Sequence, residues 1–150
     1  MASTRGRGHI YSVGYEGTTL AELVERLARQ RVSLLVDVRR TPMSRRPGFS
    51  KRPLAAALAM AGISYVHEPL LGDPPESRNA FGEGDSEALR VMRARLDGQA
   101  RRAVEKLVEE ALHRPVAVLC VEREASHCHR RLITDLAREM APRLEVLDVV

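Results

Sequence analysis

Tryptophan is absent, and only five of the 150 residues are aromatic. A platform for single-stranded nucleic acid stacks successive bases on aromatic faces, and Tyr11, Tyr15, Phe49, Tyr65 and Phe81 are too few to line one. The core must therefore be built mainly from Leu, Val and Ala. Long apolar runs are missing too. The longest in the second half of the chain, Val116 to Val121, falls far short of the roughly twenty residues a membrane span needs. The first eight residues have no apolar stretch of the kind a signal peptide requires. These absences predict a soluble, cytoplasmic protein without a membrane partner. Cysteine is scarce, with Cys120 and Cys128 alone, and that scarcity favours reduced thiols over a structural disulfide.

What is present fits a globular chain. Hydrophobic residues make up 44% and charged residues 29%, a balance that argues against disorder. A length of 150 residues suits one domain over 1–150, with 1–8 as a flexible basic tail. A domain of that size buries about two thirds of its unfolded surface. The net charge of +4 is unevenly spread: residues 1–52 hold eleven Lys or Arg against four acids, and the remainder holds thirteen against sixteen. Arg outnumbers Lys 22 to 2, a bias that a GC-rich genome would produce by itself. The local cluster is harder to dismiss. Arg39, Arg40, Arg45, Arg46, Lys51 and Arg52 fall within fourteen residues that contain no acid, and such a segment repels itself unless an anion is near.

Strand and helix signals alternate. Ile10 to Val13 reads as a strand, Thr19 with Glu22 as the capping box of a helix, and Val32 to Val38 as a strand buried on both faces. Pro53 opens a second helix that Gly62 stops, and Ile63 to Val66 is a third strand. After a long connection, Leu70 to Asp85, come helices at Ser86 to Leu96 and Gln99 to His113. Val116 to Val121 is a strand, Ser126 to Met140 a helix and Leu144 to Val150 a terminal strand. The pattern predicts an α/β three-layer sandwich, with a mainly parallel sheet of about five strands and helices on both faces.

In such sheets ligands bind outside the carboxyl ends of the strands. The expected ends carry Gly14 with Tyr15 and Glu16, Asp37 with Arg39, His67 with Glu68, and Cys120 with Glu122. Cys128, His129 and Arg130 follow at a helix start, where unpaired N–H groups and the dipole favour a thiolate. A small cysteine packed under a helix start is the bland alternative. Asp37 and Arg39, two apart on a strand, form either a structural ion pair or a phosphate clamp with a proton acceptor. His67 is an acid–base candidate by its pKa range, though a lone strand-end histidine is more often structural. Cys120, His127, Cys128 and His129 lack the paired spacing of zinc sites, so no metal is assigned. Gly14 and Gly17 before a helix offer weak evidence for a phosphate site.

Several segments together resemble the domain of unknown function 488 family. They are residues 12–17 (Ser-Val-Gly-Tyr-Glu-Gly), 37–45 with Phe49, 65–69 leading to Leu71 and Gly72, and 119–122 followed by Cys128, His129 and Arg130. The family's first motif often carries histidine at the position of Tyr15, so a mechanism resting on that histidine would not transfer. The resemblance implies a small α/β domain with a site drawn from Gly14, Asp37, Arg39, Ser44, Arg45, His67, Cys120, Glu122, Cys128, His129 and Arg130. It implies no particular reaction or cofactor.

The leading expectation is an enzyme or ligand-processing domain for an anionic substrate: a nucleotide, a phosphorylated metabolite or nucleic acid. Cys128, Cys120, His67, Asp37 and Glu122 would do the chemistry, and Gly14, Arg39, Ser44, Arg45, His129 and Arg130 would bind. The sixth residue after Cys120 is Ser126, so the Cys-x5-Arg loop of tyrosine phosphatases is not formed there. A non-catalytic nucleic-acid module using residues 39–52 is the first alternative, and a structural interaction subunit the second.

Overall fold

The computed structural model describes residues 8–72, 86–121 and 130–149, and of residues 86–89 and 91 the backbone alone. Five parallel strands form one sheet: β1 (His9–Gly14), β2 (Leu34–Asp37), β3 (Ser64–His67), β4 (Val116–Cys120) and β5 (Glu145–Val149), in the order β3-β2-β4-β1-β5. The helices are α1 (Leu20–Arg29), α2 (Lys51–Met60), α3 (Ser86–Asp97), α4 (Arg101–His113) and α5 (Arg130–Met140), with a 3-10 turn at Pro69–Leu71. The three-layer α/β architecture expected from the sequence is therefore present. No helix among the described residues is long and apolar enough to cross a membrane.

Strand pleat divides the core in two. Tyr11, Val13, Leu35, Ala117 and Leu119 meet Leu23 and Leu27 of α1 and Leu54 and Leu58 of α2. Ile10, Leu34, Val36, Val116 and Val118 meet Met92, Leu96, Val104, Leu107, Ile133 and Leu136 from α3, α4 and α5. β4, buried at every position, lies at the centre and contributes to both. Each such Leu or Val side chain contributes roughly 1.5–3 kcal/mol on leaving water.

The helix starts follow local chemistry. Thr19 and Glu22 exchange hydrogen bonds in the capping box, an arrangement worth about 1 kcal/mol. α2 begins at Lys51 after Ser50, two residues before Pro53. Proline still fits there, because the N–H groups of a first turn have no partner within the helix. The start expected for the last helix, Ser126, lies outside the described residues, where Glu122, Cys128 and His129 also fall.

The connections set the switch point. β1 leads through α1 toward β2, while β4 leads through α5 past β1 to β5. Neighbouring strands whose connections depart in opposite directions mark the crevice where open α/β sheets bind ligands. Both neighbours of β4 meet that condition: β1, with Gly14 beside Cys120, and β2, which leads through α2 away to β3.

Candidate functional site

β2 delivers Asp37 to the carboxyl rim with its side chain on the α1 and α2 side, fully buried. Its acceptor capacity is filled: Oδ1 takes the Arg39 amide and Nε at 3.1 and 2.8 Å, and Oδ2 takes Arg39 Nη2 at 2.7 Å and the Tyr65 hydroxyl at 2.5 Å. Arg39 is 4% exposed, and its remaining Nη1 donates to the Phe49 carbonyl at 2.6 Å and the Tyr15 hydroxyl at 3.4 Å. Of the two roles weighed for this pair, the geometry matches the structural one. A carboxylate with four donors has no lone pair left for a substrate proton, and all three guanidinium nitrogens are engaged.

The surroundings complete a knot. Tyr15 stacks on Phe49 with centroids 4.4 Å apart, and the Arg39 guanidinium carbon lies 5.4 Å from the Tyr15 centroid. His67 Nε2 sits 2.7 Å from the Arg39 carbonyl. Burial disfavours the Arg39 cation, but its hydrogen bonds and charge contact with Asp37 outweigh this and raise its pKa. Burial, then the Asp37 hydrogen bond, push the Tyr65 hydroxyl well above its ordinary value of 10.0.

That second shift makes a testable pH dependence. A proton held more tightly in the folded state contributes stability that is complete below the unfolded pKa, near 10, and is lost as pH rises toward the folded value. Tyr65→Phe should cost about 1.5–3 kcal/mol near neutrality, the range for a hydrogen bond to a charged group. Denaturant titrations from pH 8 to 11 should show a shallower alkaline loss in the variant. Equal slopes in the two proteins would remove Tyr65 as the titrating group.

From this knot the loop between β2 and α2 leaves in fixed form. Ser44 and Ser50 lock it: the Ser44 amide donates to Ser50 Oγ at 3.1 Å, and Ser50 Oγ donates to the Ser44 carbonyl at 3.2 Å. Ser44 Oγ accepts from the Arg46 amide at 3.1 Å. Arg46 Nη2 reaches the Thr18 carbonyl at 2.7 Å and holds the loop against the start of α1. Gly48, at φ +88°, faces Leu20 so closely that an added Cβ would lie 2.5 Å from its Cδ2. Arg40, Arg45, Lys51 and Arg52 are exposed. Among the described residues they make no ion pair, and Lys51 and Arg52 stand in the first turn of α2 with no acid beside them.

A second polar group lies on the opposite face. Arg130, 1% exposed at the start of α5, donates from Nε to Ser12 Oγ at 2.6 Å and from Nη1 to the Val13 carbonyl at 2.9 Å and Cys120 Sγ at 3.0 Å. Cys120 is disulfide-bonded, which overturns the expectation of reduced thiols; Cys128 is the one other cysteine in the chain. The inference from scarcity failed because scarcity says nothing about where the sulfur of Cys120 lies. While bonded, Cys120 is an electrophile for another thiol and no longer a nucleophile.

Gly14, Asp37, His67, Cys120 and Arg130 thus occupy one rim across four adjacent strands. Pleat sends Asp37 and His67 to one face, where Arg39 joins Asp37, and Cys120 to the other, where Arg130 donates to it. The Gly14 to Gly17 turn is already committed: the Tyr15 and Glu16 amides donate to the Cys120 and Val121 carbonyls at 3.2 and 2.9 Å. Glu22 also covers the start of α1 as a carboxylate whose pKa is lowered by its bonds to Thr19. A phosphate there would meet negative charge. Among the described residues, no group of three His, Cys, Asp or Glu side chains forms a metal site. Sequence reasoning assigned no role to Tyr65, Tyr15 or Ser12. Tyr65 was the most accessible of these, since it stands two residues before His67 and so shares its face.

The model of the family described as domain of unknown function DUF488 matches residues 19–137. The chain belongs to that family. Of the motifs noted above, the DUF488 match includes residues 37–45, 65–72 and 119–130, and it begins after the 12–17 segment. No curated protein and no solved structure gives a match.

Proposed function

We propose that this DUF488 domain binds a phosphate-bearing anion at the carboxyl rim of its sheet, with Arg40, Arg45, Lys51 and Arg52 as its contacts. One observation carries the reading: four exposed cations without ion pairs among the described residues stand on a segment pinned by the buried Asp37–Arg39 knot. Lys51 and Arg52 oppose the positive end of the α2 dipole, an arrangement that costs a few tenths of a kcal/mol each. A bound anion converts that cost into attraction, and a fixed loop loses little freedom on binding.

Processing of the ligand is the finer form of this reading, with Cys120 as its centre. Reduction of its disulfide by a dithiol would free a sulfur 3.0 Å from Arg130 Nη1, and a neighbouring guanidinium favours the thiolate.

The test is a titration of the wild type and of the Arg40→Ala/Arg45→Ala/Lys51→Ala/Arg52→Ala variant against duplex DNA, single-stranded RNA and inorganic triphosphate. Each is run at two salt concentrations, with and without a dithiol reductant. Arg46 is left intact because it braces the loop. On duplex DNA, the slope of log affinity against log salt should fall by about 0.9 for every phosphate that the variant no longer neutralises. Tightest binding of triphosphate would assign a small ligand, and tightest binding of a polymer would assign nucleic acid. An unchanged affinity and slope in the variant would sink the loop as the contact. A product formed only with reductant would carry the processing role, and no product from any of the three would count against it.

A further inference from the structure

β3 ends the sheet. The Ser64 amide donates to the Ser33 carbonyl at 2.9 Å and the Glu68 amide to the Asp37 carbonyl at 3.0 Å. In a parallel ladder alternate residues face the neighbour, so Tyr65 and His67 turn their backbone N–H and C=O groups outward. Among the described residues nothing pairs with them. Exposed strand edges are usually guarded by a charge, a proline or a bulge; residues 64–67 (Ser-Tyr-Val-His) contain no Lys, Arg, acid or Pro. The other edge is guarded, since β5 carries Glu145 and Asp148, both exposed.

The apolar surface at β3 runs alongside this open edge. Val66 is 46% exposed. It joins Leu34, Val36 and Leu107 in a groove of about 250 Å³ between β3 and α4. Met60, 92% exposed, ends the helix before β3, and Leu70, 44% exposed, follows it. Glu68, Lys106, Glu110 and Arg114 also line the groove, with Arg114 paired to Glu110 at 3.0 Å.

We propose that β3 pairs antiparallel with β3 of a second copy of this chain, giving a two-fold dimer with a continuous ten-stranded sheet. With Val66 opposite Val66 on the axis, Tyr65 of each copy lies opposite His67 of the other. Those are the residues with outward backbone groups, so four hydrogen bonds close the seam. The antiparallel arrangement also brings Leu70 of one copy to the end where Met60 of the second copy stands. Every feature is matched by its own two-fold mate, as an isologous interface requires. The two carboxyl rims then face opposite ways, and each loop between β2 and α2 stays open.

Light scattering on the full chain, over a concentration series from micromolar to near millimolar, tests this. The expected mass is that of two 16.7 kDa chains. Val66→Lys places like charges across the axis and should weaken the dimer by about tenfold or more. Leu147→Lys, on the β5 edge, should leave it intact. A monomer throughout the series, or a dimer lost in Leu147→Lys and kept in Val66→Lys, would overturn the proposal. If Val66→Lys fails to fold, amide exchange of the wild type decides: protection of the Tyr65 and His67 amides should rise with concentration, and constant protection would refute the seam.

Discussion

Asp37→Ala is expected to destabilise the protein by about 3–5 kcal/mol, because it strands a buried guanidinium without its counter-charge. Arg39 is 4% exposed and makes its Nε and Nη2 bonds to Asp37 alone. The Tyr65 hydroxyl loses its acceptor in the same step. Urea denaturation of Asp37→Ala, Arg39→Met and the double variant would separate the terms. The double variant should recover part of the loss, since a buried apolar pair avoids the desolvation that a lone charge suffers. A loss below about 1 kcal/mol in Asp37→Ala would place the pair in the class of solvated surface bridges and remove the anchor proposed for the basic loop.

Arg130→Met should cost about 3 kcal/mol or more, as buried hydrogen bonds from a charged donor are worth roughly 1.5–3 kcal/mol each. Ser12 Oγ and the Val13 carbonyl both accept from this guanidinium inside the layer between the sheet and α5. Lysine keeps the charge but offers a compact ammonium in place of a planar fork, so Arg130→Lys should recover less than half. Thermal melts of both variants, measured with the disulfide kept oxidised, provide the comparison. Full recovery with lysine would reduce the role of Arg130 to charge alone.

The parts of this molecule legible in its sequence are those fixed by neighbours along the chain. The capping box joins Thr19 and Glu22, three positions apart, and the strand and helix order follows from apolar periodicity. Pro53 signalled a helix start two residues late, because proline is tolerated throughout a first turn and marks no single position in it. The rim residues were legible as a set through topology. Their roles were not, because roles depend on distant partners: Arg130 is held by Ser12, 118 positions away, and Arg39 by a backbone carbonyl, which carries no side-chain signature. The pleat that sends Asp37 and Cys120 to different faces follows from strand register, and register appears only once β2 and β4 are paired.

Gly72 bears on how this chain tolerates change in length. An added Cβ there would lie 2.5 Å from the Arg40 amide nitrogen, and its carbonyl accepts from Arg95 Nη1 at 3.1 Å. Two backbones in such proximity tie the span from β3 to residue 72 to the span leaving β2. Insertions or deletions between His67 and Gly72 would therefore displace Arg40 as surely as a change within its own loop. Natural length variation in this chain should accordingly avoid that interval, where a shifted backbone has no slack to absorb it.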